Sequence, residues 1–175
     1  KERKSLSKCI KFISVGSLIK NKGFDRTIKA LSQLKSVDWQ YEIVGHGSLR
    51  SELEQLIISL NLQDKVILSG WSSKLEEKYH NADILLIPSK YEGFGLVAIE
   101  GMSTGLPVIA SDLVGINEIV SSSLDSCFLV KDSNDINEWV NKIELCISIL
   151  EKDSVHISKE SYRHSQKFSL EKMTK

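Results

Sequence analysis

The sequence predicts an α/β fold, a Rossmann-like three-layer sandwich in which helices cover a parallel sheet of about six strands. Short apolar segments alternate with segments of helical periodicity along the 175 residues. The apolar segments are continuous rather than alternating, which is typical of parallel strands buried on both faces. The connections between them are short, and several begin with glycine. We therefore expect one domain over residues 1–175.

The elements follow in order along the chain. Strands are predicted at 9–15, 39–44, 65–69, 82–87, 107–110 and 127–130. Helices are predicted at 24–34, 48–60, 72–80, 95–104, 133–150 and 154–166. Ser48 supplies a start signal for the second helix, and Ser72 or Ser73 is predicted to cap the third.

Composition excludes several classes of function. Lysine plus arginine and aspartate plus glutamate both number 23, so the net charge is zero, which argues against a nucleic-acid-binding surface. Apolar runs fall far short of the roughly 20 residues of a membrane span. The first 11 residues are polar and do not resemble a secretory signal. Three distant cysteines predict reduced thiols and a cytoplasmic protein.

The loops after the strands are the expected place for a ligand, because parallel sheets bind ligands beyond the carboxyl ends of their strands. Gly93-Phe94-Gly95 precedes a helix whose first N–H groups are unpaired and attract anions such as pyrophosphate. Lys22, in the loop after the first strand, can face the same charge. A lone loop lysine is more often a solvated charge, and a Gly-rich turn is often only a turn.

Two carboxylates stand eight positions apart, at Glu92 and Glu100. Glu92 would repel phosphate but can accept hydrogen bonds from the hydroxyls of a sugar. The apolar neighbours of Glu100 predict a largely buried helix, where a carboxylate needs donors such as a ribose diol. Alternatively, Glu92 is an ordinary surface glutamate, and Glu100 lies on a solvent-exposed stripe of an amphipathic helix.

Other sites are less well supported. The segment from Gly45 to Arg50 imitates a dinucleotide fingerprint, but Arg50 replaces the third glycine and no acid follows the next strand. His46 has the chemistry of a catalytic base, although a turn histidine is more often structural. The sequence contains no Walker A segment, no Ser-His-Asp order and no spaced cluster of metal ligands.

Taken together in one order, these segments resemble the C-terminal, donor-binding domain of the GT-B retaining glycosyltransferases of family 4. The resemblance runs from about residue 10 to about residue 130. It is most specific at the EGFG motif of residues 92–95 together with Glu100. The segments that carry it are 16–24, 43–50, 66–70, 82–89, 92–100, 105–110 and 115–120.

The resemblance implies a site for a UDP- or GDP-sugar. Lys22 would contact the diphosphate, Glu92 the hydroxyls of the transferred sugar, and Glu100 the ribose. Lys22 and Glu92 are the catalytic candidates. The other expected donor-binding residues are Gly16, Ser17, Gly70, Trp71, Gly93, Phe94, Gly95 and Leu96, of which Gly70 and Trp71 lie near the base.

Four positions depart from the family: Ser17, Gly101, Val114, where a glycine is common, and Asn117, where proline is usual. Ser17 stands where the family usually carries arginine, which removes one diphosphate contact; Lys20 would replace it only as a point charge. Gly101 stands where alanine is common, at a cost of about 0.5–1 kcal/mol in helix stability, but it leaves room.

The resemblance further implies retention of configuration, no metal or cofactor, and an acceptor site on the protein's own N-terminal domain, outside this chain. The acceptor would be a glycan or lipid-linked glycan, as in lipopolysaccharide or capsule assembly, with peripheral membrane association through the missing domain. The isolated domain would not catalyse transfer. Alternatives are a degenerate nucleotide-sugar-binding or regulatory module, and a non-hydrolysing sugar-nucleotide epimerase of the same fold.

Overall fold

The predicted α/β sandwich is present in a computed structural model, which describes residues 8–168. Residues 1–7 and 169–175 of the predicted domain lie outside the described residues. The strands are β1 (Cys9–Val15), β2 (Asp38–Val44), β3 (Val66–Gly70), β4 (Ile84–Ile87), β5 (Val108–Ser111) and β6 (Cys127–Val130). They form one sheet in the order β3-β2-β1-β4-β5-β6, and every neighbouring pair is parallel.

Helices cover the two faces of the sheet. They are α1 (Phe24–Gln33), α2 (Arg50–Ser59), α3 (Leu75–Asn81), α4 (Leu96–Ser103) and α5 (Ile136–Ser165), with short 3₁₀ turns at Lys20–Lys22 and Gln166–Phe168. Helices α1, α2 and the first part of α5 share one core with the sheet. Helices α3 and α4 share the other core with the opposite face.

The residues of β4 show why the central strands read as continuous apolar runs. Successive side chains of a strand point to opposite faces. Leu86 therefore packs in the core with α1 and α5, whereas Leu85 and Ile87 pack in the core with α3 and α4. All four residues of β4 are buried. Both cores thus depend on this one strand.

The edge of the sheet departs from the prediction of two covered faces. In β2 and β3 burial alternates, and Gln40 and Ile67 are exposed, Ile67 by 53%. Helix α3 has only seven residues and packs against β1. It reaches β2 through an ion pair between Lys78 and Glu42 but leaves Gln40 and Ile67 uncovered. The expectation is confirmed for β4 and β5 and is wrong for β2 and β3.

Two helix starts also differ from the sequence prediction. Helix α2 begins at Arg50 with no side-chain cap, because the preceding turn is held by the Leu49 N–H, which donates to the Leu18 carbonyl at 2.9 Å. Ser48 is therefore not its cap. Helix α3 begins only at Leu75, because the Ser72 hydroxyl accepts the Lys74 N–H at 3.1 Å in the turn before the helix.

Helix α5 contains the two predicted C-terminal helices, which meet at a kink. Asp153 has non-helical dihedral angles (φ −154°, ψ 74°) and separates the two segments. Its carboxylate accepts the His156 N–H at 2.9 Å and so caps the second segment. The Asp135 carboxylate caps the first segment, accepting the Asn137 N–H at 2.9 Å.

A buried hydroxyl network ties α1 to three strands. The Ser14 hydroxyl donates to the Leu86 carbonyl at 2.6 Å, and the Tyr41 hydroxyl lies 2.7 Å from Ser14 and 2.8 Å from Thr27. The Thr27 hydroxyl also donates to the Phe24 carbonyl at 3.0 Å, so the Tyr41 hydroxyl supplies the proton to one of its two neighbouring hydroxyl oxygens. Burial raises the pKa of Tyr41 above its usual range. The network fixes β4 relative to α1.

None of the three cysteines, all within the described residues, forms a disulfide bond. Cys127 and Cys146 are buried, and burial raises the pKa of the Cys127 thiol to about 11.

The strand order places a topological switch between β1 and β4. The chain leaves β1 toward β2 and β3 and then returns to the other side of β1 at β4. The loops after β1 and β4 therefore diverge around a crevice, the usual ligand position in such sheets.

Candidate functional site

The loop from Pro88 to Gly95 joins β4 to α4 at this switch point. Gly95 precedes the helix with φ 69°, and no side chain caps the helix start. A Cβ atom on Gly95 would lie 2.8 Å from Ile116 Cδ1, so the turn requires glycine for both its dihedral angle and its space. The first N–H groups of α4 thus face the carboxyl edge without a side-chain partner, a favourable position for an anion.

An ion pair links the two loops of the switch point. Lys22 Nζ lies 2.7 Å from Glu92 Oε2, and the Ser89 hydroxyl donates to the same carboxylate oxygen at 2.9 Å. The two charged side chains are 19% and 17% exposed, so both are half-buried rather than solvated. The Lys22 stem also packs over Gly16, where an added Cβ would lie 3.4 Å from Lys22 Cε. The structure thus brings together Gly16, Lys22 and Glu92.

Asn21 also links the same two loops, through its own carbonyl and through its side-chain amide. Its carbonyl accepts the Lys90 N–H at 2.7 Å, and its side-chain amide donates to the Tyr91 carbonyl at 2.9 Å. Sequence reasoning did not identify Asn21 or Ser89, because each acts on a segment distant in the chain. The only local signal was that both residues lie in loops next to Lys22 and Glu92.

Arg26 places a second positive charge behind the loops. Its side chain is 4% exposed, and Nη1 donates to the Pro88 carbonyl at 3.2 Å. Burial lowers the pKa of Arg26, while Asp25 and Asp132 favour its charged form. Among the described residues, its Nη2 has no hydrogen-bond partner. The buried guanidinium therefore adds positive potential to this edge and holds the start of the β4 loop.

Glu100 occupies a different environment from the predicted one. The buried residues of α4 are Ala98, Gly101 and Met102, and Glu100 is exposed, so the prediction of a largely buried carboxylate is wrong. The Tyr79 hydroxyl donates to Glu100 Oε2 at 3.0 Å. Burial and the neighbouring Glu100 charge raise the pKa of Tyr79 above its usual range.

Gly101 itself lies against the sheet. A Cβ atom there would be 2.4 Å from Leu85 Cδ2, so the residue does leave the room that the sequence suggested. The close approach lets α4 pack directly on β4.

The remaining predicted residues line the carboxyl edge. Ser17 is exposed in the β1 loop, and Gly93 is exposed in the β4 loop. Phe94 and Leu96 are 40% and 59% exposed at the start of α4. Trp71 is 70% exposed in the loop after β3, next to Gly70. In residues 8–168, no group of three or more histidine, cysteine, aspartate or glutamate side chains is arranged to hold a metal ion.

A parallel sheet with a switch point between β1 and β4 and helices on both faces places the chain in the class of Rossmann-like α/β domains. Comparison with known proteins then identifies its family. A sequence model described as glycosyl transferases group 1 matches residues 1–164. The chain belongs to this family, and its fold is that of a GT-B glycosyltransferase domain.

Individual relatives are also named as glycosyltransferases. An uncharacterized glycosyltransferase of Haemophilus influenzae is 32% identical over 92% of this chain and 46% of its own length. A lipopolysaccharide core biosynthesis mannosyltransferase of Rhizobium meliloti is 28% identical over 59% of this chain and 31% of its own. Among solved structures, Anabaena HepE in complex with UDP and glucose aligns with a TM-score of 0.82 at 26% identity, over 93% of this chain and 45% of that one.

The chain spans 33–46% of the length of the first relatives that it matches. None of the helices within residues 8–168 is both long enough and apolar enough to cross a membrane.

Proposed function

We propose that the chain binds a UDP- or GDP-sugar as the donor-binding domain of a retaining, family 4 glycosyltransferase that transfers a hexosyl group. The observation that carries the proposal is the Lys22–Glu92 pair beside the uncapped start of α4. Membership of a glycosyltransferase family supports it. The UDP and glucose bound by the related HepE protein support the class of ligand.

The diphosphate would lie between Lys22 and the start of α4. Positive charge and fixed N–H groups stabilise the negative charge that develops on a leaving diphosphate. In this proposal the acceptor hydroxyl attacks from the same face, and the leaving phosphate takes its proton. The protein then needs neither a nucleophile of its own nor a metal ion.

Glu92 would accept hydrogen bonds from hydroxyls of the transferred sugar. Its carboxylate is held by Lys22 and Ser89 before any ligand arrives, so little ordering is required on binding. Lys22 then bridges the sugar-binding carboxylate and the diphosphate. Glu100, oriented by Tyr79, would accept the ribose hydroxyls, and its exposure leaves it open to a ligand.

The activity of the whole protein extends beyond this chain. We propose that a separate N-terminal domain supplies the acceptor site for a glycan or lipid-linked glycan, and that this chain alone does not transfer sugar. The related lipopolysaccharide mannosyltransferase supports a role in lipopolysaccharide or capsule assembly. The same proposal places the protein in the cytoplasm, associated with the inner membrane face through its other domain.

A second candidate is a binding or regulatory module with a degenerate site. Ser17 favours it, because its exposed side chain brings no positive charge to the diphosphate. The two candidates differ in affinity for nucleotides.

Isothermal titration calorimetry of this chain with UDP, GDP, UDP-glucose and GDP-mannose tests the proposal. Repeating the titration with EDTA tests metal independence. We expect one nucleotide and its sugar to bind in the micromolar range, about −8 kcal/mol, with or without EDTA. If neither nucleotide nor its sugar binds at millimolar concentration, the donor-site proposal is wrong.

A further inference from the structure

His46 lies in the turn after β2 and contacts the loop after β3. Its Nε2 atom accepts a hydrogen bond from the Trp71 N–H at 3.2 Å. Since Nε2 is the acceptor, a neutral imidazole carries its proton on Nδ1. The side chain thus holds the backbone of Trp71 from a different strand connection.

The main chain around His46 ties together three loops. The His46 carbonyl accepts the Leu18 N–H at 2.7 Å, and the Gly45 N–H donates to the Gly70 carbonyl at 2.9 Å. The imidazole lies against Gly70, where an added Cβ would be 3.4 Å from Cε1. The loop after β2 therefore supports the β1 loop through its backbone and the β3 loop through the imidazole and Gly45.

Trp71 is suited to contact a flat ligand. Its indole is 70% exposed at the carboxyl edge, and aromatic faces stack on nucleobases of any sequence. The loop that begins at Trp71 leads into α3, and Tyr79 of α3 donates to Glu100. Glu100, the proposed ribose contact, is thus linked to α3, the helix that follows the Trp71 loop.

We propose that His46 is a positioning residue, which fixes the main chain at Trp71 so that the nucleobase of the bound donor packs there. This inference rests on the proposed function. It assigns a role to a residue that has the chemistry of a base but whose Nε2 atom already accepts the Trp71 N–H. His46 acts on the base through Trp71 and leaves the diphosphate contacts unchanged.

Two substitutions of His46, each tested with nucleotides and with pyrophosphate, distinguish this positioning role from a general structural role. His46→Leu removes the acceptor, whereas His46→Gln retains an acceptor oxygen. His80→Leu, at another exposed histidine, is the control. Each variant is titrated with UDP, GDP and inorganic pyrophosphate, and its melting temperature is measured.

We expect His46→Leu to weaken binding of the preferred nucleotide by about fivefold, the value of one hydrogen bond, and to leave pyrophosphate binding within about twofold. His46→Gln and His80→Leu should bind the nucleotide within about twofold of the parent.

Unchanged nucleotide binding in His46→Leu, or an equal loss of pyrophosphate binding, would overturn the role of His46 alone. A parent chain that binds none of the three ligands would instead overturn the proposed function.

Discussion

The two sides of the candidate site are built differently. The Lys22 wall, residues 16–23 and 88–95, is held by an ion pair and by hydrogen bonds from Asn21 and Arg26. The two segments of the Trp71 wall, residues 45–49 and 70–74, are largely exposed and are joined to each other by one imidazole and one backbone contact. The two segments of the first wall are therefore joined at more points than those of the second.

The difference corresponds to the work proposed for each wall. Stabilising developing charge requires groups that are already oriented, because reorienting them during the reaction reduces the benefit. Packing against a flat base requires a surface rather than a fixed charge, so fewer restraints suffice. We therefore expect substitutions in the Lys22 wall to have larger effects than those near Trp71.

The largest effect is expected from Gly23→Ala. Gly23 has φ 64°, and an added Cβ would lie 2.3 Å from the Pro88 carbonyl oxygen. The strained dihedral angle and the displaced carbonyl should together lower the free energy of unfolding by about 2–4 kcal/mol. Urea denaturation measures the change.

Gly93→Ala is the matched control in the facing loop. No atom lies within 4 Å of an added Cβ at Gly93, so its unfolding free energy should change by less than about 0.5 kcal/mol. Equal losses in the two variants would show that the close packing of the Lys22 wall does not determine its stability.

The next largest effect is expected from Lys22→Met on ligand binding. Loss of the charge that faces the diphosphate should weaken binding of the preferred nucleotide by about tenfold, or 1.4 kcal/mol. Lys20→Met, an exposed lysine in the same 3₁₀ turn, should change binding less than about threefold. Calorimetry that ranks the two lysines equally would refute the specific role of Lys22.

Glu92→Ala should act on the sugar rather than on the nucleotide. We expect the preference for nucleotide sugar over free nucleotide to fall by about fivefold, because the hydroxyls lose a charged acceptor. The measurement is the ratio of the two dissociation constants, which cancels general effects on the fold. A preserved ratio would contradict the assignment.

The smallest effect is expected at Glu100, which is exposed. Glu100→Ala should weaken nucleotide binding by about threefold to fivefold while the melting temperature stays within about 2 °C. Glu151→Ala, an exposed glutamate of α5, should change neither quantity. If Glu100→Ala binds UDP or GDP as well as the parent does, the ribose assignment is wrong.

Local sequence patterns predicted most of the fold. The predicted strands reproduce the six strands of the sheet within two residues at each end, because continuous apolar runs between glycines have few other interpretations. Helix starts were less predictable: Ser48 and Ser72 have the chemistry of caps, but tertiary contacts of the neighbouring loops determined where α2 and α3 begin.

The site was predicted in part. The EGFG turn and Lys22 could be recognised locally, but their pairing joins residues 70 positions apart, and the Arg26–Pro88 contact spans 62. Such contacts follow from strand order rather than from local pattern. The burial of Glu100 was predicted wrongly, because its apolar neighbours Val97 and Ile99 are themselves only half-buried on this short helix.

The central claim is that a nucleoside diphosphate sugar binds at the switch point between β1 and β4. Titrating a ¹⁵N-labelled chain with the preferred nucleotide, with the amide chemical shifts as the readout, tests directly where the ligand binds. We expect the largest shifts at residues 16–23 and 93–96 and smaller ones near Trp71. Shifts confined to the cavity between Thr104 and Ser158, which lies where β5 begins rather than where the strands end, would contradict the claim, as would no shifts at all.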